Sequence, residues 1–432
     1  MLARRPDVLL CFWDAQSRTY RRLEPHWAGT VAGWQGAIDM IGRDVRRHLP
    51  RWRRWLPSRY PLVMGLERRR LTTRSPSLAG AAGLAQRFLL ALRPDSFPFA
   101  DKHGRRLTMV PFDLAVGEDL APGPGDVILS VGCDWLHKEA AELATLKRQA
   151  GFRLVVLCYD IIPLLHPEFF APAETAKFRA HWLATFPIAD RVVFNARRIE
   201  ADAIAFCAAG GIRIGRTEVV PLGYEPPRDV APMPLRGGLE PGRFALFVST
   251  IEPRKGHRLL VDAWRALLAR GVPQRHRFKL VFVGRRGWMV DDLMREIDDP
   301  AAFGFTLLHY ADMEDDELAA HYRAAAFCLY PSLYEGFGLP IVEAFAHGKA
   351  VIASTGGAVP ETVGGLSPCL DVADPAAWLA LMERWIGDPQ ARAAWEDLIR
   401  RSFAHATWEA SASALLAAAE AARQGEDERA SR

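Results

Sequence analysis

Cysteine is scarce: Cys11, Cys133, Cys158, Cys207, Cys328 and Cys369 are the only six in 432 residues, and no two form a CxxC pair. Most lie inside apolar, strand-like runs, so they read as reduced, buried side chains, which excludes a disulfide scaffold. Charge of one sign is lacking too. The 55 Lys and Arg nearly balance the 51 Asp and Glu, for a net charge of +4. That excludes a nucleic-acid partner held by a global basic field. Long apolar runs are absent: the amino terminus offers six apolar residues before Asp14, too few for a signal-peptide core, and no stretch approaches ~18. The expectation is a cytoplasmic protein, or one resting peripherally on the inner face of the cytoplasmic membrane. DxD, GxSxG and Walker motifs are missing, as is any His/Cys/Asp cluster with metal-ligand spacing, so neither metal nor cofactor is expected.

What is present is a strict alternation of two periods. FALFVST (244–250), KLVFVG (279–284), FTLLHY (305–310), FCLYPS (327–332) and AVIAST (350–355) read as strands, with helical stretches between them. These strands are continuously apolar, as a parallel sheet covered on both faces requires. Strand and helix in alternation make a doubly wound α/β domain. DVILSVG (126–132), RLVVLCYD (153–160), RVVFNA (191–196) and EVVPLG (218–223) repeat the pattern in the first half, and residues 7–13 add a further expected strand. The stretch 221–242 contains six prolines and reads as a linker. The expected organisation is an amino-terminal domain over 1–220, a linker over 221–242 and a second domain over 243–405. A helix over 406–423 then packs back toward the first domain, and 424–432 form a frayed tail. The chain is too long for one core and suits two.

The densest chemistry lies in PSLYEGFGLPIVEAFAHGKAVIASTGGAVPETVGG (331–365). Glu335-Gly336-Phe337-Gly338 makes a glycine-bounded loop, and Leu339-Pro340 opens a helix with proline where its missing N–H costs nothing. Loop amides and a helix amino terminus form an anion site of the kind phosphates use. Glu343, eight residues beyond Glu335, lies about one turn into that helix. Both carboxylates can accept hydrogen bonds from sugar and ribose hydroxyls.

This segment resembles the E-x7-E region of retaining glycosyltransferase family 4, of GT-B architecture. STIEPRKGHRLLVDAW (249–264), LVFVGRRGW (280–288) and HYADMEDDELAAHYRAA (309–325) extend the likeness, and the bacterial exopolysaccharide and O-antigen members are the most similar. The resemblance implies two Rossmann-like domains facing across a cleft and a metal-independent hexosyltransferase. Its donor would be a nucleotide sugar, with a lean toward GDP-mannose, and its acceptor a polyprenol-linked or oligosaccharide glycan. It also implies that Glu343 holds the donor ribose. Glu335 and the amides of Phe337, Gly338 and Leu339 would hold sugar and phosphate, Lys255 would neutralise the leaving diphosphate, and Gly284 would line the donor site.

Where relatives carry arginine five residues before that lysine, this chain has Thr250, and the adjacent Arg254 is the expected substitute. Where many carry His-Asp after a first-domain strand, it has Tyr159-Asp160, with His166 seven residues beyond Tyr159. Asp160 is an expected site residue, with Tyr159 and His166 as candidates for the histidine's part. Gly33 and Gly36 are candidates for the first glycine-rich turn. The arginine-dense stretch 41–60, with Trp52 and Trp55, is a candidate surface for anionic membrane. A catalytically inactive assembly subunit and a sugar-nucleotide epimerase of the same architecture are the alternatives.

Overall fold

The computed structural model describes residues 5, 7–14, 17–24, 76–91, 116–132, 134–136, 140–226 and 233–424, with a few positions between 65 and 75. Gly33, Gly36 and the stretch 41–60 lie outside the described residues. The chain divides into two compact units, Met1–Ala121 and Pro122–Arg432.

The first unit holds a three-stranded antiparallel sheet of β1 (Cys11–Asp14), β2 (Thr19–Leu23) and β3 (Val116–Leu120), together with a helix, Pro76–Ala91. The strand expected over 7–13 thus runs over 11–14. It pairs antiparallel with β2, Trp13 facing Tyr20 across the ladder with rings edge to face at 5.2 Å. A hairpin with so short a connection can only be antiparallel. These strands do not join the parallel sheet that begins at Val127, so the stretch 1–220 expected as one domain is divided at 121/122.

In the second unit β4 (Val127–Ser130), β5 (Arg153–Cys158), β6 (Arg191–Phe194) and β7 (Arg216–Val219) form a parallel sheet in chain order. Every residue from Leu154 to Cys158 is buried, as the unbroken apolar run requires. The face bearing Val155, Leu157 and Val193 packs against Ala418 and Ala419 of the last helix, Trp408–Gln424. The end of the chain therefore completes the core of its first parallel sheet.

Six further strands make the second parallel sheet: β8 (Phe244–Val248), β9 (Lys279–Val283), β10 (Leu307–Tyr310), β11 (Phe327–Tyr330), β12 (Val351–Ser354) and β13 (Cys369–Leu370). Their order is β10-β9-β8-β11-β12-β13. The chain winds outward from β8 through β10, then returns to build the other side from β11. The reversal lies between β8 and β11, and a crevice outside their carboxyl ends is where open sheets of this kind take ligands. Trp264, Trp378 and Trp385 are fully buried among the helices that cover this sheet.

Part of the proline-rich stretch, 227–232, lies outside the described residues. Ahead of it, the Tyr224 N–H donates to the Ala406 carbonyl at 2.9 Å, and Gly223 lies so close to the Thr407-Trp408 backbone that no side chain would fit. The two passages of the chain between its parallel sheets run side by side.

Candidate active site

β8 delivers the chain into a short turn, Pro253–Lys255, closed by left-handed Gly256 (φ 76°) before the helix His257–Ala269. Gly256 presses on the Pro331 carbonyl, where a Cβ has no room. That contact sets the turn beside the exit of β11, and the Leu333 N–H donates to the Arg254 carbonyl at 2.7 Å. Further on, the Glu335 carbonyl accepts from the Ala358 N–H at 2.9 Å. The side chains then meet at the reversal point of the sheet. Arg254 Nη1 donates to Glu335 Oε2 at 2.8 Å, Lys255 Nζ to Glu335 Oε1 at 2.5 Å, and Arg254 Nη2 lies 2.9 Å from Glu252 Oε1.

Glu335 is 5% exposed and Glu252 3%. Burial alone would raise the pKa of Glu335, but Lys255 and Arg254 outweigh it and hold the pKa down at about 2. For Glu252 burial wins over the attraction of the same two cations, and its pKa is raised. Its Oε2 has no hydrogen-bond partner among the described residues.

Asp160 enters from the carboxyl end of β5. A Cβ on Gly336 would come within 2.7 Å of the Tyr159 carbonyl and 2.9 Å of Asp160 Cβ, so the glycine is what lets the two loops touch. Asp160 Oδ1 accepts the Ile162 N–H at 3.0 Å. Burial nevertheless pushes its pKa up, against that hydrogen bond and the attraction of Arg254. The Tyr159 hydroxyl donates to the Val131 carbonyl at 2.8 Å. His166 closes the turn Ile162–Leu165, with Nδ1 3.2 Å from Glu168 Oε1 and its ring 4.9 Å from that of Tyr334.

Four further hydrogen bonds tie the halves of this unit together. The two oxygens of Glu361 accept the N–H groups of Arg197 and Arg198 at 2.9 and 3.0 Å, the first amides of the helix Arg197–Ala209. A carboxylate is favoured at such a helix start. The Tyr334 hydroxyl donates to Asp202, and Trp288 Nε1 to the Phe169 carbonyl at 2.7 Å.

Gly338 (φ 106°) caps the helix Leu339–Ala346, a backbone angle that favours glycine, and Pro340 sits in its first turn. The first amides of a helix have no partner within it and carry its positive pole. Phe337, half-buried, anchors the loop by accepting the Thr362 hydroxyl on its carbonyl at 2.5 Å. Glu343 is half-buried and takes a hydrogen bond from the Tyr322 hydroxyl at 2.7 Å. Burial raises its pKa, with Tyr322 opposing. Gly284 (φ 155°) lies against the Ser249 carbonyl, a packing reason for glycine there. Thr250 is exposed at the carboxyl end of β8.

Of the residues singled out from sequence, Arg254, Lys255, Glu335 and Asp160 thus converge in one buried cluster. Gly338, Leu339 and Glu343 line the adjoining helix start. The sequence singled out none of Glu252, Tyr322, Tyr334 and Glu361, and Gly336 only as one bound of the glycine loop. All five stood inside the quoted motifs, but only Glu252, a carboxylate two residues before Arg254, and Gly336, the first loop glycine, carried a local signal. Tyr322 and Glu361 gave no local signal, because their partners are distant in sequence. Among the described residues no group of three or more His, Cys, Asp or Glu could hold a metal ion, and no helix is long and apolar enough to cross a membrane.

Residues 242–388 match the family model described as glycosyl transferases group 1. The chain is 38% identical over 132 residues to an O-antigen chain mannosyltransferase B of Escherichia coli, covering 31% of this chain and 33% of the relative. It is 25% identical over 282 residues to the serotype-specific mannosyltransferase WbdA of Escherichia coli, covering 63% and 34%. The chain thus spans about a third of the length of these curated relatives. In structure it is similar to a UDP-forming trehalose-phosphate synthase from Burkholderia xenovorans, with a TM-score of 0.52 and 15% identity over 69% of this chain and 74% of that one. At that identity the likeness shows the fold alone. The chain therefore has the GT-B architecture and carries, over residues 242–388, a domain of the glycosyl transferases group 1 family.

Proposed function

We propose that this chain is a retaining, metal-independent hexosyltransferase of family 4. It moves a sugar from a nucleotide-sugar donor, GDP-mannose in our reading, to a lipid-linked or oligosaccharide acceptor in surface-polysaccharide synthesis. The observation that carries this is the buried cluster at the reversal of the second sheet, where Arg254 and Lys255 both bind Glu335 beside the start of the helix Leu339–Ala346. Two fixed cations and a helix pole suit a diphosphate that gains negative charge as it leaves, and they do without a metal. The mannosyltransferase names of the relatives support the donor and the pathway.

In this mechanism the acceptor oxygen bonds to the anomeric carbon while the bond from that carbon to the diphosphate oxygen breaks. The electron pair goes to the diphosphate, and the hydroxyl proton follows to the freed phosphate oxygen. Glu335 orients the two cations and accepts from the donor sugar. Asp160 accepts a sugar hydroxyl on the opposite side, and Glu343, oriented by Tyr322, accepts the ribose hydroxyls. Arg254 stands in for the arginine that relatives carry at the position of Thr250.

Thermal melts against GDP, UDP and dTDP in buffer containing EDTA test the reading. One nucleotide raises the melting temperature, since a ligand at 100 times its Kd adds about 2.7 kcal/mol of stability. In Glu343→Ala, losing two hydrogen bonds to a charged acceptor costs about 2–3 kcal/mol, a Kd higher by roughly 30- to 150-fold. A nucleotide that binds only when a divalent ion is supplied, or an unchanged Kd in the variant, overturns the corresponding part.

A further inference from the structure

At the amino ends of β5, β6 and β7, away from Asp160, lies a cavity of about 310 Å³ with Ala421 and Ala422 of the last helix in its wall. Asp190 builds this end of the sheet. Its Oδ2 accepts the Leu154 N–H at 2.7 Å, its own N–H donates to the Leu154 carbonyl at 2.9 Å, and its carbonyl accepts the Arg216 N–H at 3.2 Å. Gly215 permits the close approach, since a Cβ there would run into the Ala189 carbonyl. The result is a wall bearing four arginines, Arg153, Arg191, Arg213 and Arg216. Three of them are the first residues of their strands.

The charges in the wall narrow the chemistry. Arg153 Nη1 donates to Asp190 Oδ1 at 2.9 Å and Arg191 Nη1 to Glu218 Oε2 at 2.8 Å, so these two are matched by carboxylates. Lys147 Nζ, 2.7 Å from Asp190 Oδ2, adds a further positive charge to the first pair. Arg213 and Arg216 are exposed and have no ion pair among the described residues. Like charges gathered at one cavity repel, and an oxyanion that neutralises them is favoured. No aromatic side chain is among the lining residues, so a sugar ring or nucleobase has no face to stack on. Planar guanidinium forks instead take phosphate oxygens bidentately. The volume lies at the lower end of the range for small-molecule sites. Two unmatched cations call for a ligand with at least two negative charges.

We propose that this cavity binds a small, soluble phosphate of two or more negative charges, an inorganic diphosphate or a phosphate ester, held by Arg213 and Arg216. Bound there, it joins the starts of three strands to the last helix, whose Ala418 and Ala419 cover the same sheet. Asp160 lies beyond the other end of β5, six residues away at ~3.3 Å each, so the ligand leaves the cluster around Glu335 free. The site stands independently of the glycosyltransferase reading.

The test is amide hydrogen exchange, read by mass spectrometry, with inorganic diphosphate at low ionic strength on the full chain and on Arg213→Gln/Arg216→Gln. At about ten times its Kd, diphosphate slows exchange over 211–217 by roughly tenfold where opening releases the ligand. In the double variant two charge-assisted contacts are gone, and the concentration needed for that slowing rises by roughly tenfold or more. Both side chains are exposed, so their substitution leaves the fold intact. Unchanged exchange over 211–217, or slowing that survives in the double variant, overturns the proposal. Slowing confined to 253–256 and 335–339 does so too, because it places diphosphate only at the cluster around Glu335. Two other occupants have their own arms. Glu426, Asp427 and Glu428 follow the last helix within four residues. Diphosphate that protects 211–217 only in Glu426→Gln/Asp427→Asn/Glu428→Gln assigns the arginines to those carboxylates and overturns the soluble ligand. Phosphatidylglycerol vesicles that sediment the wild type but not the double variant, with no response to diphosphate, assign them to a membrane and overturn it equally.

Discussion

Glu335, Glu252 and Asp160 share one buried neighbourhood, yet their acidities are driven in opposite directions. Glu335 has a cation on each oxygen and sits at about 2. Glu252 and Asp160 bear more burial than compensation and are raised. The consequences for stability are opposite in sign. The stabilisation from Glu335 is fully present above its unfolded pKa of roughly 4.3 and is lost as pH falls toward about 2. Asp160 and Glu252 prefer their protonated forms in the folded chain, so they cost stability at neutral pH and stop doing so as pH falls through their raised values. Asp160→Asn removes one such cost and keeps an oxygen for the Ile162 N–H. Its melting temperature at pH 7 should therefore rise, while the nucleotide-sugar turnover rate falls at least tenfold. A melting temperature that drops would show that Arg254 and Lys255 more than repay the burial of Asp160.

At the scale of elements, glycines decide which loops meet. The run of β-branched and aromatic residues made all five expected strands of the second sheet legible to within a residue or two, because a continuous apolar strand needs no partner information to be recognised. The anion loop and its helix were equally legible, since Gly338 and Pro340 mark a helix start by local rules. Contacts across the unit were not. Nothing local to Gly336 shows that the Tyr159-Asp160 backbone will lie against it, and nothing in PETVGG shows that Glu361 will cap a helix that starts 164 residues earlier. Gly336→Ala tests the contact: a Cβ within 2.7 Å of the Tyr159 carbonyl forces the loops apart. Overpacking of this kind costs about 1–3 kcal/mol. The melting temperature should fall, and kcat/KM should fall by more than tenfold as Asp160 moves away from the cations. Full activity would mean that the loops separate without consequence for the chemistry.

For the molecule as a whole, the sequence was informative where the two periods alternate and silent where they do not. The stretch from 14 to 110, rich in Arg, Trp and Pro, gave no periodicity to read. The strand at its start proved part of an antiparallel hairpin, because six apolar residues carry no record of their partner's direction. The last helix was legible as a helix, but the sheet it covers is settled by packing over a separation of more than two hundred residues. Ending the chain at residue 405 should therefore leave Val155, Leu157 and Val193 facing water. The truncated chain should bind a hydrophobic dye and lose its cooperative melt, whereas a soluble, cooperatively melting product would show that the helix is dispensable to that core. The same packing sets a clock on biosynthesis. From the end of β7 at Val219 to the end of the last helix at Gln424 lie 424 − 219 = 205 residues. At ~5–20 residues per second, a ribosome needs roughly 10–40 s to deliver the helix after the sheet has emerged. Through that interval the nascent chain presents one apolar sheet face with its cover not yet made, so the first parallel sheet to be synthesised is among the last to be finished.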